Sequence, residues 1–243
     1  MTRSTLGRRA FTAAAAAGAA SFTLPALAQG EPIKIGVIVP LSGPAGPNGK
    51  SVAQAVETVA DGINAKGGVM GRKLVVIAKD DESTPAVGVT RANEMVAEKV
   101  AVVIEGWNSP VTLAMQPILA RADILDITAV SKADPILAGT VNPYAIRLNS
   151  SNGQDGAIIA DILLNRLGAK RIGFLSQNDA YGNGAQAVIE AELKALGKPW
   201  EKVVVEQFPF KQTEFRVSLA NVKQAKPDAV VAINAAESSG MPA

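Results

Sequence analysis

The chain contains no histidine and no cysteine. Their absence excludes Ser-His-Asp and Cys-His catalysis, thiol redox chemistry, and metal sites built on imidazole or thiolate ligands. It also excludes disulfides, so an oxidising compartment is tolerated but not exploited. Carboxylate-pair and Ser–Lys chemistry survive this filter. Aromatic residues are scarce, with two Trp and two Tyr in 243 residues, which leaves little to stack on nucleic-acid bases. No run is rich in Lys or Arg, so no basic stripe faces a phosphate backbone. Neither a nucleic-acid partner nor a cofactor is expected.

Acidic residues are missing from the first 28 positions. That segment carries Arg3, Arg8 and Arg9, an Ala-rich stretch from Ala13, and Ala26-Leu27-Ala28 at its end. A basic region, an apolar region and a small-x-small site, in that order, predict an export signal cleaved after Ala28. Arg8-Arg9 followed by Phe11 resembles the twin-arginine type, which exports folded proteins. A spanning helix needs about 20 strongly apolar residues, whereas this stretch is mostly Ala and Gly and meets Pro25. Removing the signal changes the charge. The full chain has 24 Lys+Arg against 22 Asp+Glu. Loss of three Arg leaves 21 against 22, a net of −1, so no basic field remains.

Beyond residue 28 the chain alternates short β-branched runs with helical patterns. Ile33–Val39, 73–78, 100–104 and 124–127 read as strands, with helices at 51–64, 85–99 and 109–122 between them. Gly67-Gly68 marks one helix end, and Pro85 one helix start. The rhythm restarts with helices at 152–167, 184–196 and 215–224 and strands at 171–176, 203–208 and Ala229–Ile233. Strands alternating with helices of about 10–15 residues imply parallel α/β sheets with helices on both faces. Residues 134–153 break the rhythm, apart from a strand-like 144–147, with Pro135, Gly139, Pro143 and a polar Asn149–Gly153 stretch. We read 148–153 as a crossover between two α/β lobes, because the length exceeds the common ~100–150-residue single domain. The boundaries are 29–148 for lobe 1 and 149–243 for lobe 2. No sequence repeat relates them.

The loop after the first strand, LSGPAGPNGKS, ends in Gly49-Lys50-Ser51 and comes close to a phosphate-binding loop. Pro44 stands where that motif needs Gly, and Pro44 and Pro47 each remove an N–H from a loop that works through its N–H groups. The nucleotide reading is therefore rejected. Three further strand ends, at Glu105–Pro110, Thr128–Lys132 and Gln177–Gly182, fall on the sheet edge where ligands sit in open α/β folds. Ser109 can cap the next helix, where free N–H groups favour a carboxylate. Trp107 and Tyr181 add flat walls. The acids Asp80-Asp81-Glu82 read as a solvated loop capping the helix at Pro85, since no complementary ligand lies nearby.

Four segments together resemble one family: IKIGVIVPLSGPAGPNG (33–49), INAKGGVMGRKLVVIAKDDESTP (63–85), VVIEGWNSPVT (102–112) and NDAYGNGAQ (178–186). They are similar to type I periplasmic solute-binding proteins of ABC importers, of the branched-chain amino acid (Leu/Ile/Val) class. The resemblance implies a two-lobe α/β fold, each lobe a parallel sheet with helices on both faces. It implies a periplasmic monomer that captures a solute between lobes and delivers it to permease membrane subunits served by a cytoplasmic ATPase. It also implies no enzymatic turnover. A ligand sensor of the same fold and a carboxylate-dependent hydrolase are the alternatives.

The resemblance carries ligand roles onto Ser109, with Trp107 and Asn108 beside it, and onto Val130, Ser131 and Lys132, where the family's usual Ala-Thr is Ser-Lys. The family's first-loop Tyr is Asn48 here, its second-lobe aromatic is Tyr181, and a further Tyr position is Ala235, flanked by Asn234 and Glu237. Two lost Tyr positions and a Lys at the cleft point to a larger or more acidic solute, such as an aromatic or dicarboxylic acid, with Lys132 pairing a second carboxylate. The family continues past the position of Ala243 and returns to lobe 1, so an incomplete second lobe is expected.

Overall fold

The computed structural model describes residues 30–138 and 142–235. The expected signal at 1–28 and the candidate Glu237 lie outside the described residues. Two parallel sheets form. The first holds β1 (Ile33–Val39), β2 (Leu74–Asp80), β3 (Val102–Glu105), β4 (Leu125–Thr128) and β5 (Ala145–Arg147) in the order β2-β1-β3-β4-β5. The second holds β6 (Arg171–Gln177), β7 (Glu201–Phe208) and β8 (Ala229–Ile233) in the order β7-β6-β8. In both sheets the first strand is flanked by the second on one side and the third on the other. Every pairing is parallel.

Helices cover both faces of each sheet, as the alternating pattern requires. In the first, α1 (Gly46–Ala65) packs Ala53, Val52 and Val56 on Val37 and Val39. On the other face α2 (Pro85–Glu98) and α3 (Ser109–Arg121) bury Ala92, Met95, Met115 and Leu119 against Ile38 and Val103. In the second, α4 (Asn152–Asp161) and α5 (Ala180–Ala195) enclose Phe174, Ile172, Ile189 and Leu193. The opposite face is covered by α6 (Arg216–Ala225), with Phe208 and Phe215 edge to face at 4.9 Å beside Leu175. Among the described residues no helix is long and apolar enough to cross a membrane.

Three expectations are corrected. Helix α1 begins at Gly46, five residues early, because Pro47 lies in its first turn, where a missing N–H costs nothing. Helix α5 begins at Ala180, because the Asp179 carboxylate accepts from the N–H groups of Tyr181 and Gly182 at 2.9 Å and starts it. The helix expected over 152–167 changes after Asp161 into a π turn, Ile162–Arg166. That wider turn brings consecutive Leu163 and Leu164 into the core.

The acids after β2 also differ from expectation. Asp81 is buried, and the α2 cap position is Thr84. Asp80 Oδ1 accepts from the N–H groups of Leu41 and Glu82 at 2.8 Å, tying the β1 and β2 loops together. Burial pushes the Asp80 carboxyl up, but the Ser42 hydroxyl and these N–H groups together hold it below the usual range. Asp80 organises the loops and Asp81 is buried, while Glu82 meets solvent as expected.

Candidate functional site

A cavity of about 190 Å³ lies between the C-terminal edges of the two sheets. Its walls are Trp107, Asn108, Ser109, Val130, Lys132, Tyr181, Asn234 and Ala235. Trp107 and Asn108 come from the turn after β3, and Ser109 is the first residue of α3. Val130 and Lys132 follow β4, Tyr181 is the second residue of α5, and Asn234 and Ala235 follow β8. Four strand ends thus supply eight of the eleven expected residues, at the edge where parallel sheets hold ligands. Asn48 instead stands exposed in the first turn of α1, outside the cavity. Ser131 lies buried beneath the cavity, its hydroxyl 2.8 Å from that of Thr112.

The turn that presents Trp107 depends on Gly106. Its φ is +99°, and a Cβ there would sit 2.1 Å from Thr128 Oγ1. Only glycine fits both conditions.

Ser109 does not cap α3 as the sequence suggested; Asn108 occupies the cap position. The Ser109 hydroxyl oxygen accepts from the main-chain N–H groups of Lys132 and Ala133, each at 3.2 Å. A hydroxyl has two acceptor positions and one donor. With both acceptor positions used, Ser109 faces its cavity as a donor. Trp107 adds a buried indole N–H that meets no partner in the structure. A hydroxyl left to donate at a helix N-terminus suits a carboxylate oxygen.

The lobe 2 wall is differently charged. The positive end of α5 already meets the Asp179 carboxylate. Burial, then the charges of Asp155 and Asp179, push the Tyr181 phenol up, so it stays a neutral hydroxyl. Asn234 and Ala235 are held to β6, where the Ala235 N–H donates to Gln177 Oε1 at 3.2 Å. Lys132 does not reach into open space. Its ammonium lies 2.5 Å from Asp155 Oδ2 on α4 and 3.3 Å from Ser150 Oγ. Its carbonyl accepts from the Asn152 N–H at 2.9 Å, and Asn152 Nδ2 donates to the Tyr181 carbonyl at 3.2 Å. Sequence reasoning missed Asp155 and Gln177. The one available signal for Asp155 was its place in the first turn of the helix after the crossover.

Under the lobe 1 wall, Glu105 and Asp126 lie buried on neighbouring strands facing α3. Thr112 Oγ1 donates to Glu105 Oε2 at 2.5 Å. Burial, with the charge of Asp126, raises the Glu105 carboxyl well above its usual range, and burial raises Asp126 to about 6. Among the described residues no group of three or more potential ligands could hold a metal ion.

A cleft between the facing strand ends of two parallel α/β sheets is the architecture to which the sequence comparisons also point. The sequence profile of the family described as periplasmic binding protein matches residues 32–240, and the chain belongs to that family. It is 30% identical over 212 residues to the Leu/Ile/Val-binding protein BraC3 of Rhizobium johnstonii, covering 87% of this chain and 56% of that protein. Among solved structures it resembles an ABC-transporter solute-binding protein of Rhodopseudomonas palustris BisB5 in complex with 3,4-dihydroxybenzoic acid. That match has a TM-score of 0.74 at 29% identity, over 83% of this chain and 54% of the other. It also resembles the branched-chain amino acid transporter substrate-binding protein LivJ of Streptococcus pneumoniae in complex with isoleucine, with a TM-score of 0.74 at 25% identity, over 83% and 56%. The chain spans about half the length of the curated relatives it matches.

Proposed function

We propose that the whole protein is the exported solute-binding component of an ABC importer, capturing one small carboxylate, an amino acid or an aromatic acid, in the cleft between its lobes. It is a periplasmic monomer whose signal is cleaved after Ala28. Lobe 1 spans 29–148 and lobe 2 begins at 149. It hands its solute to permease membrane subunits served by a cytoplasmic ATPase and performs no turnover. The observation that carries this reading is Ser109, whose acceptor positions are filled so that its proton is left for an incoming anion. Relatives crystallised with a dihydroxybenzoic acid and with isoleucine support a carboxylate class. Trp107 and Tyr181 on facing walls favour a flat body within it.

A ligand that binds only the native state raises the melting temperature. A thermal-shift panel of amino acids, aromatic acids and dicarboxylates on the whole protein is expected to find one class that shifts it, without consumption. Consumption without a shift would sink the reading. Replacing Ser109 by Ala is expected to weaken that ligand roughly tenfold or more, the usual worth of a hydrogen bond to a charged group. Unchanged affinity by calorimetry removes Ser109 from the site.

A further inference from the structure

The cavity offers the Ser109 hydroxyl as an anion donor, and among the described residues that line it Lys132 alone is charged. A lysine at that place would ordinarily invite a second carboxylate. Here its ammonium is held by Asp155, and the pair is only about one-third exposed, at 32% and 31%. Lys132 is also fixed through its backbone. Its N–H donates to Ser109 Oγ and its carbonyl accepts from Asn152 at the start of α4. It therefore joins the carboxylate-binding wall of lobe 1 to the first turn of lobe 2.

Resting on the carboxylate-capture reading, we propose that Asp155 sets the charge class of the solute: by holding the Lys132 ammonium it makes the site select a monocarboxylate and turn away a dicarboxylate. A second carboxylate reaching Lys132 must displace Asp155. It would leave that acid without its cation beside the Tyr181 wall and repel it at short range. An uncharged end, aromatic or aliphatic, meets no such cost. The selection is a repulsive element built from a residue outside the cavity lining. It works by neutralising Lys132.

The test is calorimetry on the whole protein with two matched pairs, leucine against glutamate and benzoate against terephthalate. The wild type is expected to prefer the monocarboxylate of whichever pair it binds by about tenfold or more. Asp155→Asn, which keeps the shape, is expected to raise affinity for the dicarboxylate of that pair roughly tenfold and to leave the monocarboxylate nearly unchanged. Adding Lys132→Gln to that variant is expected to erase the gain, which loss of structure alone would not reproduce. An unchanged ratio in Asp155→Asn, or a wild type that prefers the dicarboxylate, overturns the proposal. If none of the four binds, the pair is taken from the class that shifts the melting temperature, and if no carboxylate shifts it, the capture reading itself falls, and the proposal with it.

Discussion

Gly49 in α1 and Gly182 in α5 occupy matching places in the two lobes. Each lies in the first turn of the helix that follows its sheet's first strand. A Cβ on Gly49 would sit 1.8 Å from the carbonyl oxygen of Pro40, and one on Gly182 1.9 Å from that of Gln177. In both lobes the helix backbone lies directly on the strand end, and the strand order around it is the same. The walls raised on this shared plan differ. Lobe 1 presents an alcohol donor beside the Trp107 ring. Lobe 2 presents a helix terminus capped by Asp179 and an acid, Asp155, engaged by a lysine from the other side. The scaffold was repeated, while among the described residues the helix start at the cavity left without an acid is the one in lobe 1, at Ser109.

The largest expected effect breaks the shared plan. Gly49→Ala and Gly182→Ala each force a methyl group into backbone, which cannot yield as a side chain can, and each is expected to cost about 3 kcal/mol. The two tryptophans make the comparison readable, because Trp107 belongs to the lobe 1 wall and Trp200 packs against the lobe 2 core. In single-tryptophan backgrounds, urea unfolding followed by fluorescence should shift at Trp107 for Gly49→Ala and at Trp200 for Gly182→Ala. Equal shifts at both probes would mean that the lobes unfold as one unit.

A smaller effect separates the floors beneath the walls. Asp126 is raised to about 6 in the folded chain against an ordinary value of 3.8. The unfolded chain therefore loses this proton at lower pH than the folded chain does. Stability is highest below the unfolded value, falls as pH rises between about 4 and 6, and levels off above. Across about two pH units the loss is on the order of 3 kcal/mol, less whatever Glu105 shares of the proton. Asp126→Asn is expected to recover on the order of 2 kcal/mol at pH 7 and to flatten that slope. Melting curves from pH 4 to 8 check it, and a variant less stable than wild type at pH 7 would show that the charge is needed.

The sequence made the plan legible through short apolar runs such as IKIGVIV and RIGFLS, whose burial on both faces leaves little else for them to be. Strand-end position pointed to the loops that hold six of the cavity residues, because such loops converge wherever a parallel sheet is built, and the family resemblance added Asn234 and Ala235. What it could not reveal were partners distant in the chain. Lys132 and Asp155 are 23 residues apart, and only the docking of α4 on the loop after β4 brings them to 2.5 Å. The early start of α5 was hidden for a different reason. Residues 177–184 read as a polar loop until Asp179 is seen to satisfy two of the helix's first N–H groups. Asn48 was carried over by its place in a resembling loop, but α1 starts early enough to enclose it and turn it to solvent.

The smallest effect sharpens the contrast between the helix termini. Asp179→Asn keeps a capping oxygen for α5, but it loses the charge there and turns an amide toward the Gln177 Nε2 that donated to Asp179 Oδ2, so stability is expected to fall by about 1 kcal/mol. The same change removes a negative charge that Tyr181 feels from across its wall. If the solute carboxylate is held by lobe 1, that removal relieves a repulsion partly screened by solvent, and affinity should rise about two- to fivefold at low salt and less at 0.15 M. If α5 instead held the carboxylate through its own terminus, Asp179 would already be displaced in the complex and the gain would be far larger, because the ligand would no longer compete with a built-in anion. Calorimetry at two salt concentrations distinguishes the two. A drop in affinity would contradict both, since it would make Asp179 a contact of the solute rather than a cap that keeps α5 from drawing it.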